Sequence, residues 1–76
     1  MNINKVKELV LSNMNKKIDF KLNGSRNQIE EFSGIIMKMY KSIFIIKVNN
    51  TDILKSFAYT DILIGNLELK VQNVLK

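Results

Sequence analysis

The chain has no cysteine, no histidine and no proline among its 76 residues, and only three glycines. Without cysteine, no disulfide staples the fold and no thiol chemistry is open to it. Without histidine, the commonest general base and metal ligand is missing. No apolar run approaches the roughly 18 residues of a membrane span, and the first residues lack the apolar core of a signal peptide. The expectation is a soluble cytoplasmic protein with no membrane association. A phosphate-cradling loop is also excluded, because Gly24, Gly34 and Gly65 stand apart from one another. Arginine is nearly absent too. Of 12 basic residues against 7 acidic ones, giving a net charge of +5, only Arg26 carries the planar fork suited to bidentate phosphate or guanine recognition. A basic excess of this size serves nucleic-acid binding and plain solubility alike.

What is present reads as one domain over residues 1–76. Ile3, Val6, Leu9, Val10 and Met14 fall on the rows of one helix face, with Leu11 at the stripe's edge, so an amphipathic helix is expected over about 3–14. Asn2 or Asn4 is placed to cap it, and the run Ser12–Asn15 to stop it. At Lys16 the period changes to two. Ile18, Phe20 and Leu22 alternate with Lys17, Asp19 and Lys21, a half-buried strand that runs into the turn pair Asn23–Gly24. The segment from Gln28 to Tyr40 predicts a long strand whose buried face switches, since Ile29 and Phe32 have opposite parity; Gly34 is the expected site of the bend. Ile43–Val48 is dense in β-branched residues and reads as strand. Beyond the turn at 49–52, Ile53–Tyr59 reads as a further strand. Thr60–Asp61 should start a short helical turn, and Leu67, Leu69 and Val71 a last strand, with the tail 73–76 frayed. The expected fold is mainly β: a five-stranded SH3-like or Sm-like barrel over about 16–72, with one helix covering an open end.

Nothing in the spacing points to catalysis or to a bound metal or cofactor. Glu30 and Glu31 are strand neighbours and point to opposite faces, and the other carboxylates are scattered over separate elements. The five serines have neither histidine nor cysteine to make an activated nucleophile. Three groups are candidates for binding. The turn Asn23-Gly24-Ser25-Arg26 offers amides and a guanidinium to a phosphate or a partner's carboxylate, or else it simply closes a hairpin. Tyr59 and Phe57, two apart on a strand, present aromatic faces to bases or a partner, or else they fill the core while Asp61 caps a helical turn; Tyr40 beside Phe44 has the same two readings. Lys17 and Lys21 share an outer strand face with Lys16 and Arg26 nearby, an electrostatic track for RNA or DNA, with Asp19 set between them.

Four ordered blocks, Asn23-Gly24-Ser25-Arg26, Ser33-Gly34-Ile35, Tyr40 to Ile46 and Ser56 to Leu63, resemble the signature stretches of the Veg proteins, small proteins of Gram-positive bacteria. The resemblance extends upstream through the helix and downstream to Leu67-Glu68-Leu69. The chain departs from the family pattern at Ser25, where a second glycine is usual, at Asn27 in place of a base, at Lys41 in place of proline, and at Phe57-Ala58 in place of Tyr-Ser. The resemblance implies a cytoplasmic, non-enzymatic regulator of gene expression tied to biofilm formation. It implies relief of repression through contact with a repressor or its circuit, so a protein partner is expected. An RNA- or DNA-binding barrel is the alternative. Spare apolar positions such as Ile43 and Ile45 suit an interface, including that of a homodimer.

Overall fold

The computed structural model describes residues 2–24 and 28–70. Helix α1 (Ile3–Ser12) leads into β1 (Lys17–Asn23), β2 (Ile29–Met39), β3 (Ile43–Val48) and β4 (Leu54–Ala58); a short helix, α2 (Tyr59–Leu63), and β5 (Leu67–Lys70) follow. Asn2 caps α1 by accepting the Lys5 amide at 2.9 Å, and Asn13 closes it by donating its side-chain amide to the Leu9 carbonyl. Asn15 then takes a left-handed backbone, φ 64°, which turns the chain into β1. Val6 and Val10 are the fully buried positions of α1, and Leu11 faces outward.

All strand pairs are antiparallel, in the order β4-β3-β2-β1-β5. Among the described residues no ladder joins β4 to β5, so the hydrogen bonding describes an open sheet with two edges and does not close the expected cylinder. The reason is local. After β4 the chain coils into α2 and turns at Gly65, φ 87°, and this carries β5 across to pair with β1. The expected last-strand residue Val71 and the tail 73–76 lie outside the described residues.

Ile18, Phe20, Ile36, Phe44, Ile46, Tyr59 and Leu67 line the inner face and join Val6 and Val10 in one buried cluster. Burial of side chains of this size stabilises by roughly 1.5–3 kcal/mol each. Four successive ring contacts tie the strands together across this face: Phe20 with Phe32 at 5.3 Å, Phe32 with Phe57, Phe57 with Phe44, and Phe44 with Tyr59 at 5.5 Å.

Two expectations need correction. The face switch in β2 falls between Ile36 and Lys38, where Met37 is the extra residue of a bulge, and not at Gly34. Gly34 is required for another reason. It is paired with Ile18 on one side and Val48 on the other, and a Cβ there would lie 2.6 Å from the Lys47 carbonyl oxygen and 2.7 Å from Ile46 Cγ2. Further along, β4 ends at Ala58. Tyr59 opens α2, because the Asp61 carboxylate reaches back to accept the Ala58 amide at 3.0 Å and draws the chain out of the ladder.

Candidate functional site

The residues singled out from the sequence fall into separate places. Asn23 is a clamp: its side-chain amide donates to the Gly65 carbonyl at 2.7 Å and to Glu68 Oε2 at 2.9 Å, while its backbone amide donates to the Asn66 carbonyl. It holds the α2–β5 turn onto the end of β1. The Gly24 amide closes the β1–β2 connection on the Gln28 carbonyl at 2.6 Å. Ser25 and Arg26 lie outside the described residues. Asp61 caps α2, as above. Tyr59 is only 2% exposed, and its hydroxyl donates to the Tyr40 carbonyl at 2.6 Å. Burial pushes its phenol above the ordinary tyrosine value. The Lys7 ammonium lies 5.4 Å from the centre of its ring. Tyr59 is therefore a core residue with one polar tether, and its ring is not a surface for stacking.

Lys17 and Lys21 do share the outer face of β1, as expected, but the neighbouring strands fill the gaps between them with carboxylates. Lys21 is paired across the ladder with Glu31 on β2 and Glu68 on β5. Asp19, between the two lysines, accepts the Ser33 hydroxyl and is paired with Lys70, whose ammonium in turn stands 3.5 Å from Glu31. That end of the sheet is a charge-alternating surface whose positive and negative groups largely offset one another at distances beyond a Debye length.

The other end of the outer face is different. Antiparallel register puts Tyr40 beside Ile43 and Ala58, then Met37–Lys38 beside Ile45 and Ser56, then Ile35 beside Lys47 and Leu54. Tyr40 is 52% exposed, Met37 45% and Leu54 61%, and Ile43 and Ile53 are also exposed. Between them runs a groove of about 430 Å³, lined by Met37, Lys38, Tyr40, Ile45, Leu54, Lys55 and Ser56. Its wall on one side is β4, an edge strand. Hydrogen bonds from the Val48 amide to Ile53 and from the Tyr59 amide to Ser42 fix the alternation, which turns the amides and carbonyls of Leu54 and Ser56 away from β3. Ile43 and Ile45 were legible as spare apolar positions, and Tyr40 as a residue with a core and a binding reading. Met37 and Leu54 were not, because the bulge that turns Met37 outward has no mark in the sequence, and Leu54 is exposed only because β4 lies at the edge.

Among the described residues no helix is long and apolar enough to cross a membrane. A family model described as biofilm formation stimulator VEG matches residues 1–70 of the chain. No curated protein matches it.

Proposed function

Since the chain belongs to the Veg family of biofilm formation stimulators, we propose that it is a cytoplasmic, non-enzymatic regulator of gene expression that works by binding a protein of a repressor circuit through the outer face of β2, β3 and β4. The observation that carries this reading is the run of exposed apolar side chains Met37, Tyr40, Ile43 and Leu54 gathered on one face and bordered by Lys38, Lys47 and Ser56. An exposed apolar surface with a polar rim is the usual mark of a protein interface. A binding role also suits three of the carboxylates, which are engaged in structural contacts: Asp19 with Ser33, Glu68 with Asn23, Asp61 with the Ala58 amide. The strand order and the single core shared by helix and sheet support a small SH3-like or Sm-like architecture as the scaffold.

The reading of the chain as an RNA- or DNA-binding module is less well supported, because Lys17 and Lys21 are interleaved with Asp19, Glu31 and Glu68. The two are separated by pairing a surface variant with a nucleic-acid titration. Ile43→Asp puts a charge at the centre of the apolar face without touching the buried cluster. It should keep the far-ultraviolet spectrum of the parent, lose capture of a regulatory protein identified from lysate, and fail to stimulate biofilm in cells. Salt-steep binding of single-stranded or duplex nucleic acid at micromolar protein, unchanged in Ile43→Asp, would instead establish the nucleic-acid reading.

A further inference from the structure

Resting on that reading, we propose that the partner binds as an added β-strand: an extended segment of alternating apolar and acidic residues pairs with β4 through the outward-facing backbone of Leu54 and Ser56. Three observations meet at this edge. Leu54 and Ser56 turn their amides and carbonyls outward, so a strand laid alongside finds donors and acceptors at the spacing of an antiparallel or parallel ladder. The groove beside them is apolar at Met37, Ile45 and Leu54, so alternate side chains of the added strand have somewhere to go.

The third observation is charge, and it selects the occupant. Lys38 lines the groove and no carboxylate does; Lys55 contributes only its base, because its ammonium lies 5.6 Å from the Phe32 ring on the inner face, and Asp52 belongs to the β3–β4 turn, outside the lining. Lys47 faces Leu54 on the same outer surface. Among the described residues the one ion pair is Lys70 with Glu31, at the opposite end of the sheet, so neither Lys38 nor Lys47 is ion-paired; Asp52 lines the adjoining hollow with Lys47 but makes no ion pair with it. An added strand lies two strand spacings from β3, about 10 Å backbone to backbone, and a glutamate on it meets the Lys47 side chain part-way across. A basic segment is repelled by the same lysines. A second copy of this chain carries the same lysines on its own β4 face and a net charge of +5, so charge disfavours self-pairing.

The edge backbone can be tested apart from the apolar face. Ser56→Pro removes an outward amide and no β3–β4 ladder bond, and proline is tolerated on edge strands. The probe is a displayed library of random octapeptides selected on the immobilised wild-type chain. The expected result is enrichment of peptides alternating acidic and apolar residues. Their binding should weaken about tenfold or more in Ser56→Pro, with the spectrum of the folded parent retained. It should also weaken in Lys38→Glu/Lys47→Glu. Enrichment of basic peptides, no enrichment, or affinity unchanged in Ser56→Pro overturns the proposal. So does self-association of the wild-type chain in sedimentation that Ser56→Pro abolishes, since the edge would then belong to a second copy. If Ile43→Asp abolishes capture of the regulatory protein while Ser56→Pro leaves it intact, strand addition fails and the protein-contact reading stands. If neither variant affects capture, that reading fails as well.

Discussion

The Tyr59 hydroxyl crosses from the start of α2 to the Tyr40 carbonyl, and with its ring stacked on Phe44 it pins the β2–β3 connection to the core. Tyr59→Phe keeps the ring and leaves that carbonyl without its donor, so urea unfolding should show a loss of about 1 kcal/mol at neutral pH. The pH dependence has a definite sign. Because burial raises the folded-state pKa above the unfolded value of about 10, the tether's contribution is complete below that pH and is lost as pH rises through the folded value. The parent should therefore lose stability above pH ~10 more steeply than Tyr59→Phe does; the lysines that titrate in the same range are common to both proteins and drop out of the difference. Identical alkaline profiles would mean that the hydroxyl contributes nothing. From the sequence, Tyr59 was open to two readings, core or surface. The choice depended on where β4 ends, and that is decided by Asp61 reaching the Ala58 amide, a contact too local for strand periodicity to reveal.

At the scale of elements, β2 is the central strand of the five, between β1 and β3. Gly34 lies in the middle of it with neighbours on both sides. Gly34→Ala forces a methyl group against the Lys47 carbonyl, and the backbone, unlike a flexible side-chain tip, has little room to give. A destabilisation of about 2 kcal/mol is expected in urea titration, and an unchanged midpoint would show that β3 can shift without penalty. The periods of hydrophobic residues placed α1, β1 and β3 within a residue or two of their observed limits, because those elements each bury one face against one core. They misplaced the bend of β2. A glycine kept free of a Cβ by a neighbouring backbone and a glycine that bends a strand are the same letter. The actual bulge at Met37 is dictated by how Ile36 and Met39 both reach the inner face, which only the β3 partner strand reveals.

Over the whole molecule, turn residues such as Asn50, φ 63°, and Gly65 made the succession of strands legible, while the closure of the sheet was not. Spacing along a chain says which strands are neighbours in sequence. It does not say whether the two outermost ones meet, and among the described residues β4 and β5 stand at opposite edges. The same limit applied to the lysine track: the basic residues of β1 could be seen, but the acids beside them come from β2 and β5 and are visible only once the register is known. The groove by β4 is the converse case, a surface made by three strands from residues that individually look like core.

The clamp at Asn23 has a consequence in time. An asparagine followed by glycine is chemically fragile, because the next backbone nitrogen can attack the side-chain amide and expel ammonia. In the folded chain the Gly24 nitrogen is engaged with Gln28, and the Asn23 amide nitrogen is held by Gly65 and Glu68, so the attacking atom is occupied and the attacked group is fixed in place. Unfolding releases them. Protein stored unfolded at mildly alkaline pH should gain the small mass of amide hydrolysis within its 23–24 peptide, whereas protein stored folded should keep its original mass; equal ageing of the two would show that the clamp gives no protection. A chain that has aged this way would return with an acid facing Glu68, and the α2–β5 turn could no longer be fastened. Conformational stability in this molecule thus also sets its shelf life.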